Sequence, residues 1–201
     1  MKKSFFTLII IFGLTSIIFS QDFHGGALFG VAGTEISGDR LDGPNKAGLY
    51  LGGFVNRYFG EKSSLQMELD YIQKGSRKNP DSLSYDSYLL RLSYIEIPVH
   101  YRYDFIERAG LEVGLSLGVL VHSYEEVNTI EAPPGVYPEF NNFDLSFNFG
   151  LYYALTKKMK IYVRYSNSIL AVRPHSLGQT YKWNQGQYNE VLSFILFYQF
   201  N

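Results

Sequence analysis

The feature that most constrains this chain is a two-residue hydrophobic alternation, sustained over segments much longer than the ~5–6 residues of an ordinary strand. Leu111, Val113, Leu115, Leu117, Val119 and Val121 share one face, opposite Glu112, Gly114, Ser116 and Gly118. Phe143, Leu145, Phe147, Phe149, Leu151 and Tyr153 oppose Asp144, Ser146, Asn148 and Gly150. The same reading separates Leu65, Met67, Leu69 and Tyr71 from Gln66, Glu68 and Asp70, and Ile95, Ile97, Val99, Tyr101 and Tyr103 from Glu96, Pro98, His100 and Arg102. Ile161, Val163 and Tyr165 likewise oppose Tyr162, Arg164 and Ser166. Beyond the first twenty residues no stretch approaches the ~18 apolar residues of a membrane helix. A chain of this kind is either a soluble β protein or a closed membrane barrel, because only helices and closed barrels satisfy the backbone in lipid.

Eight alternating segments of 11 to 16 residues are read, namely His24–Ser37, Lys46–Phe59, Ser64–Arg77, Leu89–Asp104, Leu111–Tyr124, Phe143–Leu155, Lys160–Leu170 and Tyr188–Phe200. A tilted strand needs ~9–11 residues to cross a bilayer. The connections alternate in length. Gly60–Ser63, Phe105–Gly110 and Thr156–Met159 are short, whereas Gly38–Asn45, Lys78–Tyr88, Glu125–Asn142 and Ala171–Gln187 are longer and hold six of the seven prolines. Short turns on one side and long loops on the other are the pattern of outer-membrane barrels. Tyr71, Tyr101, Tyr103, Tyr153 and Tyr165 bracket the apolar faces as interfacial girdles would, and the chain ends on a strand carrying Tyr198 and Phe200. A soluble sandwich or lipocalin-like barrel would alternate too. Strand length, girdles and the terminal strand favour the membrane. The expected fold is therefore all-β: a transmembrane antiparallel up-and-down β-barrel of eight strands, with both termini on the short-turn, periplasmic side.

Lys2 and Lys3 precede an apolar stretch from Phe5 to Phe19, and Ser20 is a small residue before Gln21. This is the layout of a cleavable signal peptide, short for a retained anchor. The expected organisation is a signal peptide over 1–20 and an outer-membrane barrel domain over 21–201, exported to the bacterial outer membrane. The chain has no cysteine, which excludes disulfides, thiolate metal sites and a lipidated cysteine. A formal charge of −1 gives no basic footprint for nucleic acid.

With these segments in place the chain resembles the PorT-like outer-membrane β-barrel family of Bacteroidetes. The resemblance is carried by Leu51-Gly52-Gly53-Phe54, by the strand Leu65–Gly75 ending in Lys74-Gly75, and by Tyr94-Ile95-Glu96-Ile97-Pro98-Val99. Gly114, Gly118, Gly150 and the strand Ile161–Tyr165 extend it across the mature chain. It implies the barrel fold. It also implies a possible place in type IX secretion and gliding machinery, the role associated with the family's namesake.

The inward face gathers Glu68, Asp70, Glu96, His100, Arg102, Glu112 and Arg164. An eight-stranded barrel is only wide enough for side chains to fill. The expectation is a structural ion-pair network, with Arg102 and Arg164 paired to Glu68 and Glu96, in place of a pore or an acid/base site. No cofactor is expected. His24, His122 and His175 lack ligand spacing, so no metal site is expected either. Ser123 beside His122 is the nearest pairing to a lipid-modifying enzyme's, yet adjacent strand residues face opposite ways. No catalytic residue is assigned. Tyr181 and Trp183, in the last long loop, are the candidate binding residues, since loops on rigid scaffolds commonly carry binding. The expected partners are outer-membrane lipid and other outer-membrane or periplasmic proteins. The expected role is non-enzymatic, structural or interactive. A secretion accessory and a small lipid-modifying enzyme are the alternatives.

Overall fold

The computed structural model describes residues 23–39, 41, 43–80, 85–133, 135–175 and 186–200. The proposed signal segment, Tyr181 and Trp183 lie outside them. The strands are β1 (Phe23–Ser37), β2 (Lys46–Tyr58), β3 (Ser63–Lys78), β4 (Tyr88–Ile106), β5 (Ala109–Val127), β6 (Ile130–Glu131), β7 (Phe143–Ala154), β8 (Met159–Ser168) and β9 (Tyr188–Gln199). Every pairing is antiparallel. The order β4-β3-β2-β1-β9-β8-β7-β5, closed by β4–β5, makes an eight-stranded up-and-down barrel, with β6 appended to β5. The eight long strands are those read from the alternation, with ends shifted by at most three residues.

The burial pattern is inside-out relative to a soluble protein. Leu69 and Phe194 are 59% and 55% exposed on the outer wall, while Arg164 and Glu112 are 2% and 0% exposed in the lumen. Apolar surface of this extent around a whole barrel needs lipid to cover it. The outward tyrosines sit toward the two ends of the belt, with Phe29, Phe147, Phe149 and Phe194 between them. Tyr71 and Tyr165 lie toward the long loops, and Tyr101, Tyr103, Tyr153 and Tyr198 lie toward the short turns.

The rim is uneven. β3, β4 and β5 run 16, 19 and 19 residues, against 10 and 12 for β8 and β9, so one wall stands above the long-loop end of the belt. A register shift opposite Ser93/Tyr94 leaves Val121 unpaired as a bulge on β5, a device that bends a strand and increases its twist. Residues expected to begin a long loop at Glu125 instead continue β5 to Val127. The chain then reverses through Asn128 and Thr129, at φ 52° and 64°, into β6. Two consecutive positive φ values are what a two-residue hairpin turn of matching twist requires.

Candidate functional site

All seven inward residues named from the sequence are buried inside the barrel. The structure sorts them by depth. At mid-height Arg164 on β8 donates from NH1 and NH2 to Glu68 on β3, both at 2.8 Å, and from Nε to Glu112 on β5 at 2.6 Å. NH1 also reaches the Tyr50 hydroxyl at 2.9 Å, and Tyr50 donates to Asp70 at 2.8 Å. His100 Nδ1 lies 3.2 Å from Glu68. One guanidinium thus ties together four strands.

Nearer the long loops, Lys74 Nζ lies 2.6 Å from Glu96 and 2.9 Å from Asp144. Asn189 and Ser146 also donate to Asp144, at 2.8 and 3.2 Å. Nearer the short turns, Arg102 does not make the expected ion pair with Glu68 or Glu96. It donates to Gln66 Oε1 at 2.8 Å and lies over the Tyr152 and Tyr162 rings at 4.5 and 5.7 Å. Gln66 in turn donates to Glu68 at 2.6 Å, so an amide links Arg102 to the mid-height cluster, whose Glu112 also stands opposite Arg102 on β5. The physical reason is stagger. Glu96 lies six residues up the same strand from Arg102, about 20 Å at ~3.3 Å per residue. Lys74 is the cation at its level.

Small residues make room for these charges. Gly150 on β7 stands between Glu112 and Arg164 on its two neighbours. A Cβ there would meet Glu112 Oε1 at 2.7 Å. Gly118 stands in the same way between Glu96 and Asp144, and Gly114 and Gly52 lie against His100 and Asp70. The glycines therefore alternate with the charges around the ring.

At the long-loop mouth, Arg173 donates to both oxygens of Glu125, at 2.8 and 3.0 Å, and to Gln187 at 2.6 Å. Phe140 and Tyr137 lie 4.3 and 5.6 Å from its guanidinium. Tyr88 donates to Glu125 at 2.6 Å. Burial pushes the Tyr88 hydroxyl up, and Glu125 adds to the rise. Burial alone would lower Arg173, but the Glu125 carboxylate reverses this and holds it charged. This clamp pins the β5–β7 connection across the mouth. Beside it lies an open cleft of about 360 Å³ lined by Ser123, Tyr124, Glu131, Tyr137 and Glu139.

Chemically, the lumen is a set of charges held against one another, with two carboxylates on each of Lys74 and Arg164. Glu68, His100 and Glu112 turn potential ligand atoms to within 4.8 Å of one another, the one such grouping among the described residues. Arg164 already sits on both carboxylates and supplies their cation. His122 and Ser123, adjacent on β5, are exposed near the mouth, and Ser123 borders the cleft. Sequence reasoning missed Lys74, Asp144 and Arg173. Lys74 and Asp144 could have been found from their inward parity. Arg173, in a loop, had no periodic signal.

A family model described as outer membrane protein beta-barrel domain matches residues 19–171. Among solved structures, Neisserial surface protein A is 14% identical with a TM-score of 0.53, the alignment covering 89% of this chain and 97% of that one. The attachment invasion locus protein Ail of Yersinia pestis is 13% identical with a TM-score of 0.50, covering 88% and 98%. No curated protein matches the chain in sequence.

Proposed function

Because this chain belongs to the outer membrane protein beta-barrel domain family, we propose that it is a non-enzymatic outer-membrane protein whose plugged barrel holds a binding platform at the cell surface. The observation that supports this reading most is the filled lumen. From Arg102 through Arg164 to Lys74, the charged groups are engaged with one another, with amides and with aromatic rings. That arrangement stabilises a wall and opposes ion flow. The raised wall of β3–β5 and the clamped β5–β7 connection then form the surface left for a partner.

The test uses the full chain in nanodiscs and planar bilayers. The reading expects no turnover of lipid A or phospholipid and no stepwise conductance. It also expects that replacing residues 128–141 by a short Gly/Ser turn leaves the barrel folded while abolishing cross-linking to surface partners. Lipid turnover would instead support a small lipid-modifying enzyme.

The finer likeness to PorT-like barrels has one observation of its own. The Lys74-Gly75 and Ile95-Glu96-Ile97-Pro98 motifs meet inside the barrel through the Lys74–Glu96 ion pair. A structural contact explains both motifs, so they speak for the fold more than for secretion. Affinity purification from the native membrane checks this: co-purifying secretion or gliding components would carry the accessory reading.

A further inference from the structure

The outer wall has a depression that its fold does not require. Gly25 on β1 and Gly53 on β2 both face outward. A Cβ on either would meet nothing nearer than a backbone oxygen, at 3.6 and 3.5 Å respectively. The inward glycines differ sharply, since Cβ atoms on Gly26 or Gly52 would come within 2.2 or 2.1 Å of neighbouring atoms. Packing thus dictates the inner glycines and leaves the outer two unexplained. Where most of the wall presents Phe, Leu, Ile and Val, these two, with Ala27 beside Gly53, present little or no side chain. The result is a furrow of about 600 Å³ bounded by Val55, Met67, Leu69, Ile97 and Phe200.

The sheet is also thinnest here. β3–β4 pairing runs up from the short turn to Met67↔Val99 and resumes at Asp70↔Glu96, but is interrupted between them. Pro98 stands in the gap and has no N–H to give to the ladder. The furrow opens over this seam, with Glu68 behind it.

The same outward face of β2 supplies a charge at the foot of the furrow. Below Gly53 and Val55 it continues to the exposed Arg57, opposite Phe23 and Leu65. Arg57 forms no ion pair with any described residue. Four residues at ~3.3 Å place Arg57 about 13 Å from Gly53 along the strand. An apolar trough of that length with a cation at its interfacial end matches an acyl chain below a phosphate headgroup. A guanidinium is well suited to hold such a phosphate.

We propose that this furrow is a binding site for one phospholipid of the periplasmic leaflet, its acyl chain over Gly25 and Gly53 and its phosphate on Arg57. The occupant is a phospholipid because the site lies at the short-turn end of the lipid-facing belt, continuous with the surface already covered by lipid. The inference rests on the membrane location alone and is independent of the surface-binding reading.

Native mass spectrometry of the full-length protein, released from outer membranes in mild detergent, tests it. The wild type should keep one phospholipid adduct. Gly53→Leu, which fills the furrow, should reduce that adduct at least tenfold. Arg57→Gln, on an exposed side chain without an ion pair to any described residue, should reduce it severalfold and abolish any preference for anionic headgroups. Val163→Leu, on β8, should keep it. Equal phospholipid retention in wild type and both site variants would overturn the proposal. So would a lipid A adduct or a protein dimer appearing where the phospholipid is expected.

Discussion

Lys74 Nζ on β3 lies 2.6 Å from Glu96 on β4 and 2.9 Å from Asp144 on β7, buried inside the barrel. One ammonium is therefore shared by two carboxylates that come from opposite sides of Gly118. The arrangement is asymmetric. Glu96→Gln leaves Lys74 paired with Asp144, whereas Lys74→Met strands two buried carboxylates. Losing a partner from a buried pair costs roughly 3–5 kcal/mol. Lys74→Met is expected near the upper end of that range and Glu96→Gln well below it. Urea titration of the detergent-folded protein, read by the gel-mobility difference between folded and unfolded barrel, gives the order. Equal losses would contradict the shared-cation geometry.

Arg164 has a stricter requirement, because its three donor nitrogens diverge toward Glu68, Glu112 and Tyr50. A lysine supplies the charge but not the planar fork. Arg164→Ala is expected to lower stability by roughly 3–5 kcal/mol, with Arg164→Lys recovering only part of it. Thermal melts in detergent measure both. An unchanged melting temperature for Arg164→Ala would show that the mid-height cluster contributes nothing to stability.

These two clusters also mark what the sequence could and could not convey. Parity along each strand placed Glu68, Glu96, Arg102 and Arg164 on the inner face, and the alternation gave all eight barrel strands within a few residues. Parity says nothing about depth. Depth follows from strand tilt and stagger around the closed barrel, which is why parity alone pairs Arg102 with Glu68 or Glu96, whereas it lies with Gln66, Tyr152 and Tyr162. In the sequence Lys74 belongs to a strand-end motif, and its partnership with Asp144 spans 70 residues. The β6 return was hidden for a different reason: Asn128-Thr129 is a weak turn signal beside Asn-Gly.

Gly150 carries a prediction about space. A Cβ there would meet Glu112 Oε1 at 2.7 Å and Cγ at 2.9 Å. Gly150→Ala must therefore push Glu112 off Arg164. Overpacking of a filled interior costs about 1–3 kcal/mol. Combining Gly150→Ala with Glu112→Ala should cost less than the sum of the single changes, because the clash goes with the carboxylate. Additive losses in the double-mutant cycle would place the strain elsewhere.

Lys46, inward on β2 above the membrane belt, is buried beside Arg91, and these two causes bring its pKa down to about 8. Between about 8 and its ordinary value the unfolded chain holds a proton that the folded protein has lost. Stability must then rise with pH through that window. At neutral pH the charged form is present and opposes folding. Lys46→Met is expected to raise the melting temperature at pH 7 and to flatten its rise between pH 8 and pH 10. A wild-type melt that falls steadily over that range, with no difference from Lys46→Met, would count against this.

Arg173 is the fastening of the outer mouth, since it bridges Glu125, Gln187 and the Phe140 ring. The barrel below it does not depend on these contacts. Loops open locally at free energies far below global unfolding when few contacts hold them. Arg173→Ala is therefore expected to accelerate proteolysis within 128–141 by about tenfold or more, which corresponds to ~1.4 kcal/mol of local opening. The melting temperature of the barrel should move little. Limited proteolysis of intact cells and of purified protein, read by mass spectrometry, separates the two effects. If cutting at the β5–β7 connection is unchanged while the barrel melts earlier, Arg173 is a wall residue and the mouth is held by Tyr88 and Glu125 without it.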